Sequence, residues 1–258
     1  MKTRYPIEAF ALAMVVFSQN LRNALITGIL ILLITTVGLL LDQLFGGKIP
    51  GWSRISCNII LMGALTYSIF QVVLIAILGY ETQSTDFILH IFLGLLIAKH
   101  IIEGRGDVDY NRFLLEGAGA YAVLLIISII REFMAYGSIY GFKLLDFTYK
   151  SAGFSNVIAG FVLTGLGVAI LNSLYKKETY NIITDGLPVN LAVALVVQPF
   201  LIDSINQWLS MAVTLVIVLI LYYSVRRYLV FSRLSKEIKG LPAELISMGF
   251  IYLILSMF

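Results

Sequence analysis

The sequence predicts an all-α, polytopic membrane protein with about nine transmembrane helices. Three observations carry this. Only 13% of the 258 residues are charged, against roughly 25% in ordinary soluble domains. Hydrophobic residues make up 59% of the chain, and mean hydropathy is +0.93. The apolar residues also fall in long continuous runs, such as residues 123–130 and 211–221. A membrane β-barrel would show alternating segments of ~10 residues instead. A soluble chain of this length has too much surface to leave so few charges for it. The composition therefore excludes a soluble enzyme, a disordered chain and a nucleic-acid-binding domain. Cys57 is the one cysteine, which excludes a disulfide scaffold.

Backbone polar groups find no water in lipid, so each crossing takes roughly 20 apolar residues wound as a helix. Nine apolar segments are visible, over residues 6–18, 23–44, 56–79, 86–102, 113–135, 153–174, 186–202, 206–230 and 241–258. The first is short, and Gln19, Asn20, Arg22 and Asn23 follow it at once, which predicts a half-helix or a re-entrant segment. No small-residue cleavage site follows residues 9–17, so this run is read as structure and not as a cleaved signal peptide. The seventh segment is also short, with Pro188 near its start and Pro199 near its end. Short, Pro- or Gly-interrupted spans point to a site built from inverted repeats.

The basic residues predict orientation. With nine spans, Arg22, Arg131, Lys143 and Lys150 fall on one side and the other 14 Lys and Arg on the opposite side. Basic loops stay cytoplasmic, so the N-terminus is expected inside and the C-terminus outside the cell's inner membrane. The net charge of +3 needs no nucleic-acid partner, because these loops account for it. An internal echo supports duplication: Ser128-Ile129-Ile130-Arg131-Glu132-Phe133 ends segment five, and Ser224-Val225-Arg226-Arg227-Tyr228-Leu229 ends segment eight. The two lie three spans apart and so face opposite sides of the bilayer, as inverted repeats do.

Ionisable groups in apolar surroundings are expensive and often functional. Glu8, Glu116, Asp185, Asp203 and Glu244 are the candidate ion-path carboxylates, with headgroup depth as the competing reading for each. Glu8 and Glu116 have apolar sequence on both sides. His100 is the one candidate metal ligand or proton relay, with an interfacial histidine beside a snorkelling Lys99 as the plainer reading. His90 lies ten residues earlier, about 15 Å along a helix, and makes no chelate with it. Arg131-Glu132 reads as a cap or ion pair at a helix end. Arg226, Arg227, Arg233, Lys236 and Lys239 read as a cytoplasmic rim that touches anionic lipid. Gly117, Gly119, Gly160, Gly165 and Gly167 read as small-residue contacts for close helix packing.

Leu114-Leu115-Glu116-Gly117-Ala118-Gly119, a long apolar run, and then Ile129-Ile130-Arg131-Glu132-Phe133-Met134-Ala135-Tyr136-Gly137 form an acidic-Gly beginning and an Arg-Glu end. This stretch, with the Gly-rich segment at residues 159–167, resembles the integral membrane subunits of the Rnf complex and the Na+-translocating NADH:quinone reductase (Nqr). The resemblance implies an inverted-repeat core, with residues 1–178 as a six-helix unit of E or D type. Residues 224–229, 238–240 and 243–250, with Pro188-Val189-Asn190-Leu191-Ala192-Val193, resemble the C-terminal half of the A-type partner in that family. Residues 179–258 are thus expected to form an extra three-helix half.

In that family a membrane-embedded [2Fe-2S] cluster sits between two subunits, held by two cysteines from each. The resemblance places Leu12, His100 and Leu191 at three of those positions, and the fourth falls in a half that this chain lacks. Thiolates are the standard ligands of such clusters, so the cofactor-binding set is empty here and no cluster is expected in this chain. Catalytic residues are likewise expected to be none. The resemblance implies a non-catalytic subunit of an ion-translocating electron-transfer complex, beside other membrane subunits and flavin or iron-sulfur subunits. The residues alone leave two alternatives open: an inverted-repeat transporter for a small solute or ion, and a membrane anchor for an extracytoplasmic redox protein.

Overall fold

Each of the nine apolar segments forms an α-helix. The computed structural model describes residues 5–77, 79, 84–104, 109–143, 150–175, 186–197, 206–228 and 237–255. Among these described residues the helices are α1 (Ile7–Val16), α2 (Leu21–Phe45), α3 (Gly51–Gln71), α4 (Ser84–Glu103), α5 (Tyr110–Tyr136), α6 (Val157–Leu174), α7 (Leu187–Val197), α8 (Gln207–Tyr228) and α9 (Leu241–Leu255). A 3-10 turn (Phe17–Gln19) follows α1, and a π-helix (Val72–Ile77) continues α3. A two-stranded hairpin, β1 (Ser138–Ile139) and β2 (Phe142–Lys143), pairs antiparallel after α5. A second 3-10 turn (Ala152–Ser155) leads into α6.

Among the described residues, five helices are long and apolar enough to span a bilayer: α2, α3, α5, α6 and α8. Helix α4 has 20 residues but carries Asp86, Lys99 and Glu103. Helix α1 has 10 residues, so at 1.5 Å per residue it covers about half of a ~30 Å hydrocarbon core, and α7 is described over 11 residues, up to the edge of its described segment. The sequence marks the end of α1 and the start of α7. Ser18, Gln19 and Asn20 stop α1, and Asn20 then caps α2 by accepting the Arg22 N–H at 2.8 Å. Pro188 fits the first turn of α7, where its missing N–H costs nothing.

Apart from Glu8 in its first turn, helix α1 is apolar on every side, and residues 7–15 are all buried. A helix without a polar face belongs in the middle of a bundle. Accordingly α1 packs against α2, α4, α5, α6 and α7. Around it, α1–α3 and α4–α6 pack reciprocally: α3 on α4, α1 on α6, and α2 on α5. Helices α7–α9 join this body through α7 on α1 and α4 and through α9 on α6. The expected division near residue 178 lies outside the described residues.

Two crossings depend on glycine. A Cβ on Gly94 of α4 would lie 2.8 Å from the Gly63 Cα and from the Met62 carbonyl oxygen on α3. A Cβ on Gly165 of α6 would lie 2.8 Å from the Pro242 carbonyl oxygen at the start of α9. Lipid gives helices no hydrophobic reason to associate, so such close backbone approach supplies the packing. The outward faces are correspondingly greasy. Helix α3 buries only Asn58, Met62, Thr66 and Phe70, one side chain per turn, while Trp52 is 85% exposed.

Candidate functional site

The C-terminal end of α1 and the N-terminal end of α7 are largely buried among the other helices. A helix leaves its first four N–H and last four C=O groups without helical partners. In lipid each would cost several kcal/mol unsatisfied. What meets these groups therefore defines the site.

At the C-terminal end of α1 the partner is Arg131 from α5, fully buried. Its Nη1 donates to the Val15 carbonyl at 2.9 Å, the Met14 carbonyl at 3.4 Å and Ser18 Oγ at 2.6 Å. Ser18 Oγ in turn donates to the Met14 carbonyl. Arg131 Nε and Nη2 donate to the carbonyls of Phe154, Ser155 and Asn156, at 3.0, 3.2 and 2.9 Å. One guanidinium thus ties the end of α1 to the turn that begins α6. Its positive charge also sits at the negative end of the α1 dipole. Gly160 makes room: a Cβ there would lie 2.5 Å from the Val15 carbonyl oxygen and 3.0 Å from Arg131 Nη1. The next residue, Glu132, serves the other side of the break. Its Oε2 accepts the Leu21 N–H at 2.7 Å, and its Oε1 accepts the Gly141 N–H at 3.3 Å.

Arg131-Glu132 therefore caps neighbouring elements and not its own helix. Gly137, in the left-handed region at φ 69°, closes α5 by donating to the Phe133 carbonyl. The sequence signal was present as two adjacent charges at the end of an apolar run, but its targets were not.

At the N-terminal end of α1, Glu8 is buried and accepts from Lys99 Nζ at 2.7 Å. Lys99 thus turns inward to a partner, where the sequence suggested a snorkelling side chain. Tyr5 packs nearby, edge-on to Phe10 and Tyr175. Burial first, then Glu116, then Tyr175, holds the Tyr5 phenol above its usual range. Glu116 lies half-buried on the second turn of α5, next to Leu115, whose carbonyl accepts from the Tyr175 hydroxyl at 3.3 Å.

At the N-terminal end of α7 the partner is Glu244, from the first turn of α9. Its Oε2 accepts the Gly186 N–H at 2.9 Å and the Tyr222 hydroxyl at 2.9 Å. Asn190 Nδ2 donates to the Gly186 carbonyl at 2.9 Å. Asp185 and Asp203 lie outside the described residues. Of the five candidate carboxylates, the structure thus brings Glu8 and Glu116 to the α1 side and places Glu244 under α7.

Known proteins point the same way. The D-type membrane subunit of the Na(+)-translocating NADH-quinone reductase of Pseudoalteromonas translucida is 24% identical over 176 residues, which cover 62% of this chain and 81% of that one. The equivalent Pseudomonas paraeruginosa protein is 26% identical over 137 residues, covering 50% and 59%. That of Pseudoalteromonas atlantica is 25% identical over 137 residues, covering 50% and 63%. This chain is similar to Nqr membrane subunits. For the latter two relatives it spans about three-fifths of their length. No family model matches the chain, and no solved structure matches it. Apolar spanning helices and the Nqr likeness agree on a multi-pass membrane protein.

Leu12 is fully buried in α1, Leu191 is partly buried in α7, and His100 is partly buried near the end of α4. The three helices pack on one another. Leucine offers no lone pair to iron, so at most one of the three residues is a donor. Cys57 is exposed on α3. Among the described residues no three His, Cys, Asp or Glu side chains are grouped to hold a metal. The donors at these positions do not fit a [2Fe-2S] cluster.

His90 is the buried titratable residue that the sequence set aside. It is fully buried, and neither ring nitrogen has a hydrogen-bond partner among the described residues. The ring stacks on Phe70, with centroids 4.5 Å apart, and faces Phe17 at 6.4 Å. An unsatisfied buried donor costs about 1–3 kcal/mol. His90→Phe keeps the stack and removes that cost. It is expected to raise stability by about 1 kcal/mol, or roughly 3 °C in thermal midpoint, measured by unfolding in detergent.

Proposed function

We propose that this chain is an integral inner-membrane subunit of an Nqr- or Rnf-like ion-translocating electron-transfer complex. The similarity to the D-type subunits of the Na(+)-translocating NADH-quinone reductases carries this reading. The chain acts without a cluster of its own, because Leu12 and Leu191 stand where thiolates are needed. Its tasks are then to hold partner subunits and to shape the ion path. Buried helix ends met by Arg131 at α1 and Glu244 at α7 suit the second task, since discontinuous helices bring polar termini among apolar elements. Flavin or iron-sulfur subunits of the complex supply the redox centres. Residues 1–178 and 179–258 act as a six-helix unit and an added three-helix half. The basic loops set the N-terminus in the cytoplasm and the C-terminus outside.

Purification in mild detergent from its native membrane tests the reading. Flavin- or iron-sulfur-containing subunits are expected to co-purify in fixed proportion. The isolated polypeptide is expected to show no [2Fe-2S] absorption. A homo-oligomer without redox partners would overturn the complex in favour of a transporter. A cluster spectrum that follows this polypeptide alone would overturn the absence of a cluster.

A further inference from the structure

We propose that Glu244, Asn190 and the Gly186 turn form a binding site for a monovalent cation at the N-terminal end of α7. This deepens the ion-translocating reading and rests on it.

The three carboxylates at the helix ends are not equivalent. Glu8 has Lys99. Glu132 uses both oxygens on backbone N–H groups and is the chain neighbour of Arg131. Glu244 has neither arrangement. Among the described residues it forms no ion pair, and its two hydrogen bonds both fall on Oε2, from the Gly186 N–H and the Tyr222 hydroxyl. Among those residues Oε1 is left without a donor. Arg226 and Arg227 lie on the next turn of α8 beyond Tyr222, and both are exposed. The positive end of the α7 dipole offsets about half a charge, which leaves net negative charge in an apolar bundle.

A second, independent observation points to the same place. Asn190, on the first turn of α7, is fully buried. Its Nδ2 is anchored on the Gly186 carbonyl, but its Oδ1 has no partner among the described residues. A buried acceptor without a donor calls for a partner, which a water or a cation can supply. Glu244 Oε1 and Asn190 Oδ1 are thus two unengaged oxygens whose side chains are anchored on the same residue, one on its N–H and one on its carbonyl. Gly186 itself permits the approach, since a Cβ there would lie 2.9 Å from Glu244 Oε2. Hard oxygen donors with no nitrogen or sulfur suit a hard cation, and a single carboxylate balances a single positive charge.

The test uses the full chain purified in detergent. Its thermal midpoint is followed against NaCl and against choline chloride at matched ionic strength. NaCl is expected to stabilise it and choline chloride is not, because a ligand that binds only the folded state adds stability. Glu244→Gln keeps an oxygen to accept both existing hydrogen bonds but removes the charge. It is expected to weaken the Na+-specific shift about tenfold or more in apparent affinity. Asn190→Ala is the second variant and is expected to weaken the shift while leaving Glu244 in place. A wild-type chain that answers NaCl and choline chloride alike overturns the site. So does a shift that survives in both variants. Stabilisation on lowering pH that is the same in either salt overturns the metal cation in favour of a proton. Co-purification of redox subunits is read separately: its failure beside an intact Na+ shift sinks the complex and spares the site.

Discussion

Replacing Arg131 with methionine is expected to destabilise this protein more than any other single substitution at its helix ends. Methionine has similar length and good helix propensity, so α5 itself should survive. What disappears is the donor set for six oxygens: the carbonyls of Met14, Val15, Phe154, Ser155 and Asn156, and Ser18 Oγ. Water cannot replace it, because Arg131 is fully buried and α1 stops in the middle of the bundle. Removing one member of a buried charged network costs roughly 3–5 kcal/mol. Arg131→Lys is expected to fall between, at about 2–3 kcal/mol, because an ammonium keeps the charge against the α1 dipole but has three donors and no planar fork. Reversible unfolding in mixed detergent micelles measures both. An Arg131→Met chain with wild-type stability would show that the end of α1 has another source of donors.

Much of this protein was legible in one dimension. The apolar runs foretold every helix, and Gln19 and Asn20 marked where α1 stops, because apolarity along the chain is a local property. The glycines foretold close packing for the same reason: a missing side chain matters wherever helices meet. The partners were not legible. Arg131 meets Val15 across 116 residues, Lys99 meets Glu8 across 91, and Gly186 meets Glu244 across 58. Each pairing depends on which helices become neighbours, and long-range packing sets that. The same gap explains two specific differences. Arg131-Glu132 looked like a local cap, but Gly137 already closes α5, so the charges are free to serve the α1–α2 break. Lys99 looked like a snorkelling residue beside His100, but a short α1 brings a buried carboxylate within reach. His90 showed least of all. A histidine in an apolar helix reads as tolerable until its ring is seen stacked among phenylalanines with both nitrogens unpartnered among the described residues.

The Glu8–Lys99 pair is expected to behave asymmetrically under substitution. The Lys99 side chain keeps 30% of its surface, whereas that of Glu8 keeps 8%. In Lys99→Met the buried carboxylate loses the Lys99 ammonium, which should cost about 3 kcal/mol. In Glu8→Gln the ammonium is orphaned instead, but its long stem can carry it toward the headgroups, so the cost should be nearer ~1 kcal/mol. The double variant Glu8→Gln/Lys99→Met removes both charges of this pair. It should recover to within about 1 kcal/mol of wild type, since neutral replacements of a buried ion pair are often close to neutral. The double-mutant cycle then yields a coupling of about 3 kcal/mol, because neighbouring sites in one ion pair do not add. Denaturation of the four proteins side by side measures it, and additive effects would sink the pair as a structural unit. The same double variant separates the two carboxylates functionally. Glu8 already has its cation in Lys99, whereas Glu244 has none among the described residues. The Na+-specific stabilisation should therefore persist without the Glu8–Lys99 pair and weaken when Glu244 loses its charge.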